Sequence, residues 1–296
     1  MDIYGIRGEG LSHNQGMETL QNDVMNSDLL MKRRSMDDEK TPETPKQNAD
    51  PLTISGREAA EYCAYKKQKK VSAIMDGISR AVYVLEDTDD AQRVVAQALR
   101  LRLSALRMTP LQMERLGAKC KEMGVSCDCV IGGNGETLVK VKGYEAKCAL
   151  RLKAKQLTLL LSPSQVHACR YAEIRKEIRR VRRLAKKLLL TVSVSGGSMA
   201  NLARIARICS EVGVDFLSVP YFSGCERVKA ELTGGVKLEI VGAETLGQYK
   251  KLVEAGVGRI VTNRIAQFHA EWIKEVDEIT VEALSSMGKI GQKCGE

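Results

Sequence analysis

The chain has 296 residues, of which 44% are hydrophobic, 28% charged and 4% aromatic, with a formal net charge of +9. That length and apolar content can bury one full-sized core, and the longest apolar runs, "LTLLLS" and "LLLTVSV", are far shorter than the roughly 20 residues a membrane span needs. No basic segment followed by an apolar stretch stands at the N-terminus, so a cytoplasmic location is expected and a membrane partner is not.

Residues 1–54 are rich in Asn, Asp, Ser and Gln, contain "TPETPKQNADP", and show no sustained period of 2 or 3.6, so they read as a disordered tail. The charge changes sign there: residues 1–55 hold six Lys/Arg against ten Asp/Glu, leaving 40 against 27 for the rest. Structure is expected to resume in a helix over 55–80, with Ser55 and Glu58 spaced as a capping box.

Short β-rich runs then alternate with longer amphipathic ones. The runs are "AVYVL" from Ala81, "SALRM" from Ser104, "CDCVI" from Cys127, "QLTLLL" from Gln156, "LLLTVSV" from Leu188, "DFLSV" from Asp215, "KLEIV" from Lys237 and "RIVT" from Arg259. Between them lie helical patterns that often end in Gly, as a helix C-cap prefers. Strands that read as apolar on both faces and are joined by helical crossovers form a parallel sheet. Eight such units in about 190 residues predict a compact (β/α)8 TIM barrel over 81–275, with 276–296 as a C-terminal helix or tail. A doubly wound sheet is the rival, but "VYVLEDTDDAQ" lacks the glycine-rich turn that such a sheet carries after its first strand. "IGGNGE", after the third strand, fits neither GxGxxG nor Walker spacing and reads as a tight turn.

The nine cysteines form no CxxC, so they read as small reduced core residues rather than metal ligands or disulfides. In "CDC" one thiol, Cys127 or Cys129, is expected inside the barrel and the other outside. The segment "RYAEIRKEIRRVRRLAKKLLL" repeats Ile174, Ile178, Val181, Leu184 and Leu188 at helical spacing with its charge on the opposite side, the pattern of a solvated outer helix. With three Phe and one Trp there are few stacking platforms, which argues against a nucleic-acid partner. Lys140 and Lys142 are expected on the outer surface.

"CVIGGNGETLVKVKGYEAKCALRLKAKQLTLLL" resembles the third strand, glycine turn, following helix and fourth strand of the deoxyribose-phosphate aldolase family. The resemblance extends to "LSALRMTP" as second strand, "EVGVDFLSVPYFSG" as sixth, and "AETLGQYKKLVEAGVGRIVTN" as the last helix and strand, covering about residues 80–270. It implies a Schiff-base lysine on strand six, a second lysine on strand seven that lowers the first one's pKa, and an acidic residue on strand four. Such chemistry needs an amine that can lose its proton near neutral pH. This chain places Ser218 at the first position, Leu238 at the second by gapless counting, and Thr158 at the third. A one-residue bulge would bring Lys237 to the second position, leaving it as the one candidate amine. On the phosphate side Gly242 is kept, and Thr262, Asn263 and Arg264 stand where the family binds a phosphorylated sugar.

Three further features stand out. Arg107 interrupts the apolar "SALRMTP" near the strand's C-terminal end, so it either meets a ligand anion or pairs with Glu86 or Asp87. His167, after strand four, has the chemistry of a general base but no nucleophile or second ligand beside it. Gly196, Gly197 and Ser198 open a helix that suits an anion, although Ser198 also reads as an ordinary N-cap. The function expected is that of an aldolase-like phosphosugar lyase lineage, inactive or altered, with a phosphorylated small molecule as ligand and no cofactor or metal. The alternatives are a noncatalytic scaffold using the barrel surface and basic helix, and an active aldolase using Lys237. Homo-oligomerisation is left open.

Overall fold

The computed structural model describes residues 56–276 apart from Thr88. The tail read over 1–54, Ser55 with the capping box expected of it, and the terminus beyond 276 lie outside the described residues. Eight parallel strands, β1 (Ala81–Val84), β2 (Ala105–Met108), β3 (Cys127–Ile131), β4 (Gln156–Leu160), β5 (Leu189–Ser193), β6 (Phe216–Pro220), β7 (Lys237–Val241) and β8 (Arg259–Val261), close into a barrel in sequence order. Pairing of Ala81 with Ile260 and of Val82 with Val261 seals it, so no strand edge is left open. Seven of these strands fall within the runs expected from the sequence, and β6 passes the end of its run, "DFLSV", by one residue to Pro220.

Helix α1 (Gly56–Ser79) leads into β1, and α2 (Ala91–Arg100), α3 (Pro110–Glu122), α4 (Val139–Arg151), α5 (Pro163–His167), α6 (Tyr171–Leu184), α7 (Met199–Val212) and α8 (Leu246–Glu254) follow in order, with a last helix, α9, over 265–276. "CERVKAEL", expected as a helical crossover, forms a 3₁₀ helix over Cys225–Glu231 instead. Side-chain caps fix several starts: Thr109 and Thr245 each close a capping box with the glutamine three residues on, and Ser162 and Ser198 each accept a backbone amide.

The main core lies between the barrel wall and the helices. Leu106, Cys129, Leu157, Val192, Leu217, Leu238 and Ile240 face outward from the strands and are buried there. Because strand side chains alternate, residues of the opposite parity point into the barrel. Cys127 and Cys129, two apart, therefore share the outward face, and Asp128 between them is the inward residue; the expectation of one thiol inside was a parity error. At the C-terminal half of α1, the Tyr249 hydroxyl donates to the Gly77 carbonyl at 2.8 Å and Trp272 lies against Gly77.

Candidate functional site

Seven strands bring a polar or charged side chain to the middle of the barrel: Arg107, Asp128, Thr158, Thr191, Ser218, Glu239 and Arg259, each at most 5% exposed. Arg107 organises them. Its Nε donates to Asp128 Oδ2 at 2.7 Å, and its Nη2 reaches both carboxylate oxygens of Glu239, at 2.8 and 3.0 Å. Since β2 and β7 are not neighbours, the second contact crosses the barrel interior. Thr158 Oγ1 lies 2.9 and 2.8 Å from the two Asp128 oxygens and donates to that carboxylate. Arg259 stands with its guanidinium 3.8 Å over the Phe216 ring and with Nη1 3.9 Å from Glu239 Oε2. Two cations thus face two anions.

Burying charge costs several kcal/mol per ion unless geometry and hydrogen bonds compensate it. Here they do for Arg107: burial works against its charge, but Glu239 and then Asp128 outweigh burial and raise its pKa above the ordinary arginine value. Arg259 has poorer partners, and burial holds its pKa below that value despite Glu239 and Asp128. The Ser218 hydroxyl has no hydrogen-bond partner among the described residues.

Arg107 pairs neither with Glu86, whose carboxylate takes the Asn263 amide at 2.6 Å, nor with Asp87, which takes the Gln112 amide at 2.9 Å. On β7 the register runs without a bulge: Ser218 pairs with Glu239, Leu217 with Leu238 and Phe216 with Lys237. Leu238 accordingly faces outward and is buried, while Lys237 sits exposed at the strand's N-terminal end, away from the mouth. Thr158 and Ser218 share the barrel centre. The carboxylate that β4 lacks stands next door on β3, as Asp128. Above this layer the C-terminal mouth carries Val84, Val130, Leu160, Ser193, Pro220 and Val241, all partly exposed and none able to act as acid, base or amine at neutral pH.

Gly242, Thr262, Asn263 and Arg264 come together at the rim after β7 and β8. The Gly242 amide donates to Val261, Thr262 Oγ1 donates to the Ala243 carbonyl and accepts the Arg264 amide, Asn263 Oδ1 accepts the Val84 amide, and Arg264 Nη1 donates to the Glu244 carbonyl at 3.0 Å. Gly242 has φ +95, a backbone state that favours glycine. Arg264 is exposed and immediately precedes α9, so a guanidinium and a helix start share this rim.

Lys142, expected at the surface, is fully buried. Its Nζ donates to the Gly135 and Leu160 carbonyls at 2.7 and 2.8 Å and pairs with Glu177 at 2.7 Å. Burial raises the Glu177 pKa, and the bond from Lys142 opposes that shift. The "IGGNGE" turn is built around this ammonium: Gly132, Gly133 and Gly135 have positive φ, and a side chain on Gly135 would collide with the Leu161 carbonyl. His167 is exposed and its Nδ1 lies 2.7 Å from the Pro163 carbonyl. Ser198 caps α7 through the Asn201 amide. The charged barrel residues Asp128, Glu239 and Arg259 were missed in the sequence: Asp128 is a lone charge inside an apolar strand, the feature that drew attention to Arg107, whereas Glu239 shares its strand with Lys237 and Arg259 opens its strand.

No family model and no curated protein matches the chain. Among solved structures it is similar to the aldolase QR15, at 21% identity and a TM-score of 0.60, covering 67% of this chain and 95% of that one. It is also similar to a tetrameric deoxyribose phosphate aldolase from Aeropyrum pernix, at 18% identity and a TM-score of 0.60, covering 74% and 98%. At such identities the likeness shows the fold alone, an eight-stranded parallel barrel.

Proposed function

We propose that this chain descends from the deoxyribose-phosphate aldolase lineage and does not form the imine on which class I aldolases depend, while its rim after β7 and β8 holds a phosphorylated small molecule. The observation that carries the reading is Ser218 at the inward position of β6 with Glu239 beside it, where the lineage uses amines. An amine adds to an aldehyde carbonyl and expels water to give the C=N bond that acts as electron sink; a serine hydroxyl can add but cannot form that bond. Asp128 and Glu239 are engaged by Arg107, so using either as a base would break a buried ion pair. Lys237, the alternative amine, stands at the opposite end of β7 from the mouth.

The test is borohydride trapping. Full-length protein incubated with deoxyribose 5-phosphate and borohydride is expected to keep its intact mass, and an adduct abolished by Lys237→Met would overturn the reading in favour of an active aldolase. The ligand claim is read by thermal stability: a native-state ligand at about 100 times its Kd adds about 2.7 kcal/mol, so phosphosugars should stabilise the wild type and stabilise Arg264→Met less. No stabilisation by any phosphosugar would remove the ligand claim. The Aeropyrum protein is described as tetrameric, and we extend self-association to this chain, to be read by light scattering. A noncatalytic scaffold is the second reading, favoured by the charge distribution on α4 and α6.

A further inference from the structure

The flank of the barrel between α4 and α6 contains a cleft of about 560 Å³ lined by Lys140, Lys147, Lys176, Arg180 and Arg183, with Tyr144 at its edge and no carboxylate. The acids of the two helices are used elsewhere. Glu145 accepts the Gly132 amide at 2.7 Å, Glu177 is turned inward to Lys142, and Glu173 pairs with Arg170. None of the five cleft cations forms an ion pair among the described residues, whereas their neighbours Arg175 and Arg182 do, with Glu211 and Asp215.

The floor is open because residue 143 is glycine: a Cβ there would lie 3.3 Å from Arg180 Nε and 3.5 Å from Leu184 Cδ1. At the start of α4, the N-cap Leu138 and the helical Val141 and Tyr144 are 74%, 41% and 61% exposed, and Val141 and Tyr144, three apart, lie on one side of the helix. Cations without counter-ions thus adjoin an exposed apolar stripe. A phosphate backbone would use the cations but has no need of Leu138 and Val141. A second copy of the same face is disfavoured, since an isologous contact would set cation against cation.

We propose that this cleft docks an acidic amphipathic segment of a partner protein, its carboxylates on the five cations and its apolar side chains on Leu138, Val141 and Tyr144. Charge complementarity of this kind governs encounter rate and partner choice, and the apolar contacts supply residence. The proposal is independent of any sugar phosphate at the barrel rim.

The experiment uses full-length protein and three fluorescein-labelled probes in anisotropy titrations: a helical Glu/Leu peptide with Leu at every third or fourth position, an all-Glu peptide of equal length, and a single-stranded oligothymidylate. The Glu/Leu peptide is expected to bind most tightly, and affinity should fall about tenfold or more in Arg180→Glu/Arg183→Glu, where like charges replace complementary ones. Leu138→Ser/Tyr144→Ala should weaken the Glu/Leu peptide severalfold and leave the all-Glu peptide unchanged. These side chains are exposed, and an unchanged thermal midpoint confirms folding. Failure of the Glu/Leu peptide to bind, equal binding of the all-Glu peptide, or tighter binding of the oligothymidylate with the same dependence on Arg180 and Arg183 would each overturn the proposal.

Discussion

The barrel centre and the α4–α6 flank are both rich in cations, and they treat them in opposite ways. At the centre Arg107 and Arg259 face Asp128 and Glu239, and Arg107 is bonded to both carboxylates. On the flank five cations line a cleft with no acid at all. Water explains the difference: an exposed ammonium or guanidinium is solvated and needs no partner, whereas an interior one brings its counter-ion into the fold or shifts its pKa. In this chain an inward arginine is therefore part of the scaffold, and the charge available to a partner stands outside.

The contrast can be broken most strongly at Glu239. Glu239→Gln leaves Arg107 with Asp128 alone and Arg259 without its nearest carboxylate, creating inside the barrel the uncompensated charge that the flank tolerates. Removing one partner of a buried pair costs about 3–5 kcal/mol, and urea unfolding should lose that much; a loss under about 1 kcal/mol would mean that water reaches the guanidinium. Thr158→Val tests the neutral part of the same network. It preserves shape but deletes the hydroxyl that donates to the fully buried Asp128, and a hydrogen bond to a charged group contributes about 1.5–3 kcal/mol. A change under about 0.5 kcal/mol would show that Arg107 alone satisfies the Asp128 carboxylate.

The barrel itself was legible because each strand is a short apolar run and each crossover has helical period, a pattern that depends on local sequence alone. The chemistry of its interior depends on parity and on pairs far apart in sequence. Reading "CDCVI" with one thiol inward hid Asp128, and counting back to Leu238 on β7 passed over Glu239, one residue on and facing the opposite way. Arg107 and Glu239 are separated by 132 residues, and only closure of the barrel brings them together. Lys142 was misplaced for a related reason: its alternation with Lys140 suggested surface, but the carbonyls of Gly135 and Leu160 and the Glu177 carboxylate form an interior cradle that no window of α4 reveals.

Between the sealed centre and the open flank lies an intermediate case, His269 on α9, partly buried, with Arg100 rather than a carboxylate acting on it. Burial, and secondarily Arg100, lowers its pKa below the usual imidazole value. The folded chain consequently binds the His269 proton less readily than the unfolded chain, and the stability present above an unfolded pKa of about 6.5 is lost as pH falls through the lower folded value. Partial exposure lets solvent screen the effect, so this is the smallest of the three. His269→Gln removes the proton site, and the fall in urea midpoint between about pH 7.5 and 5.5 should be shallower than in the wild type. An equal fall in both would mean that the imidazolium is as well solvated on α9 as the cations of the flank, and that charge in this protein becomes costly only within the barrel.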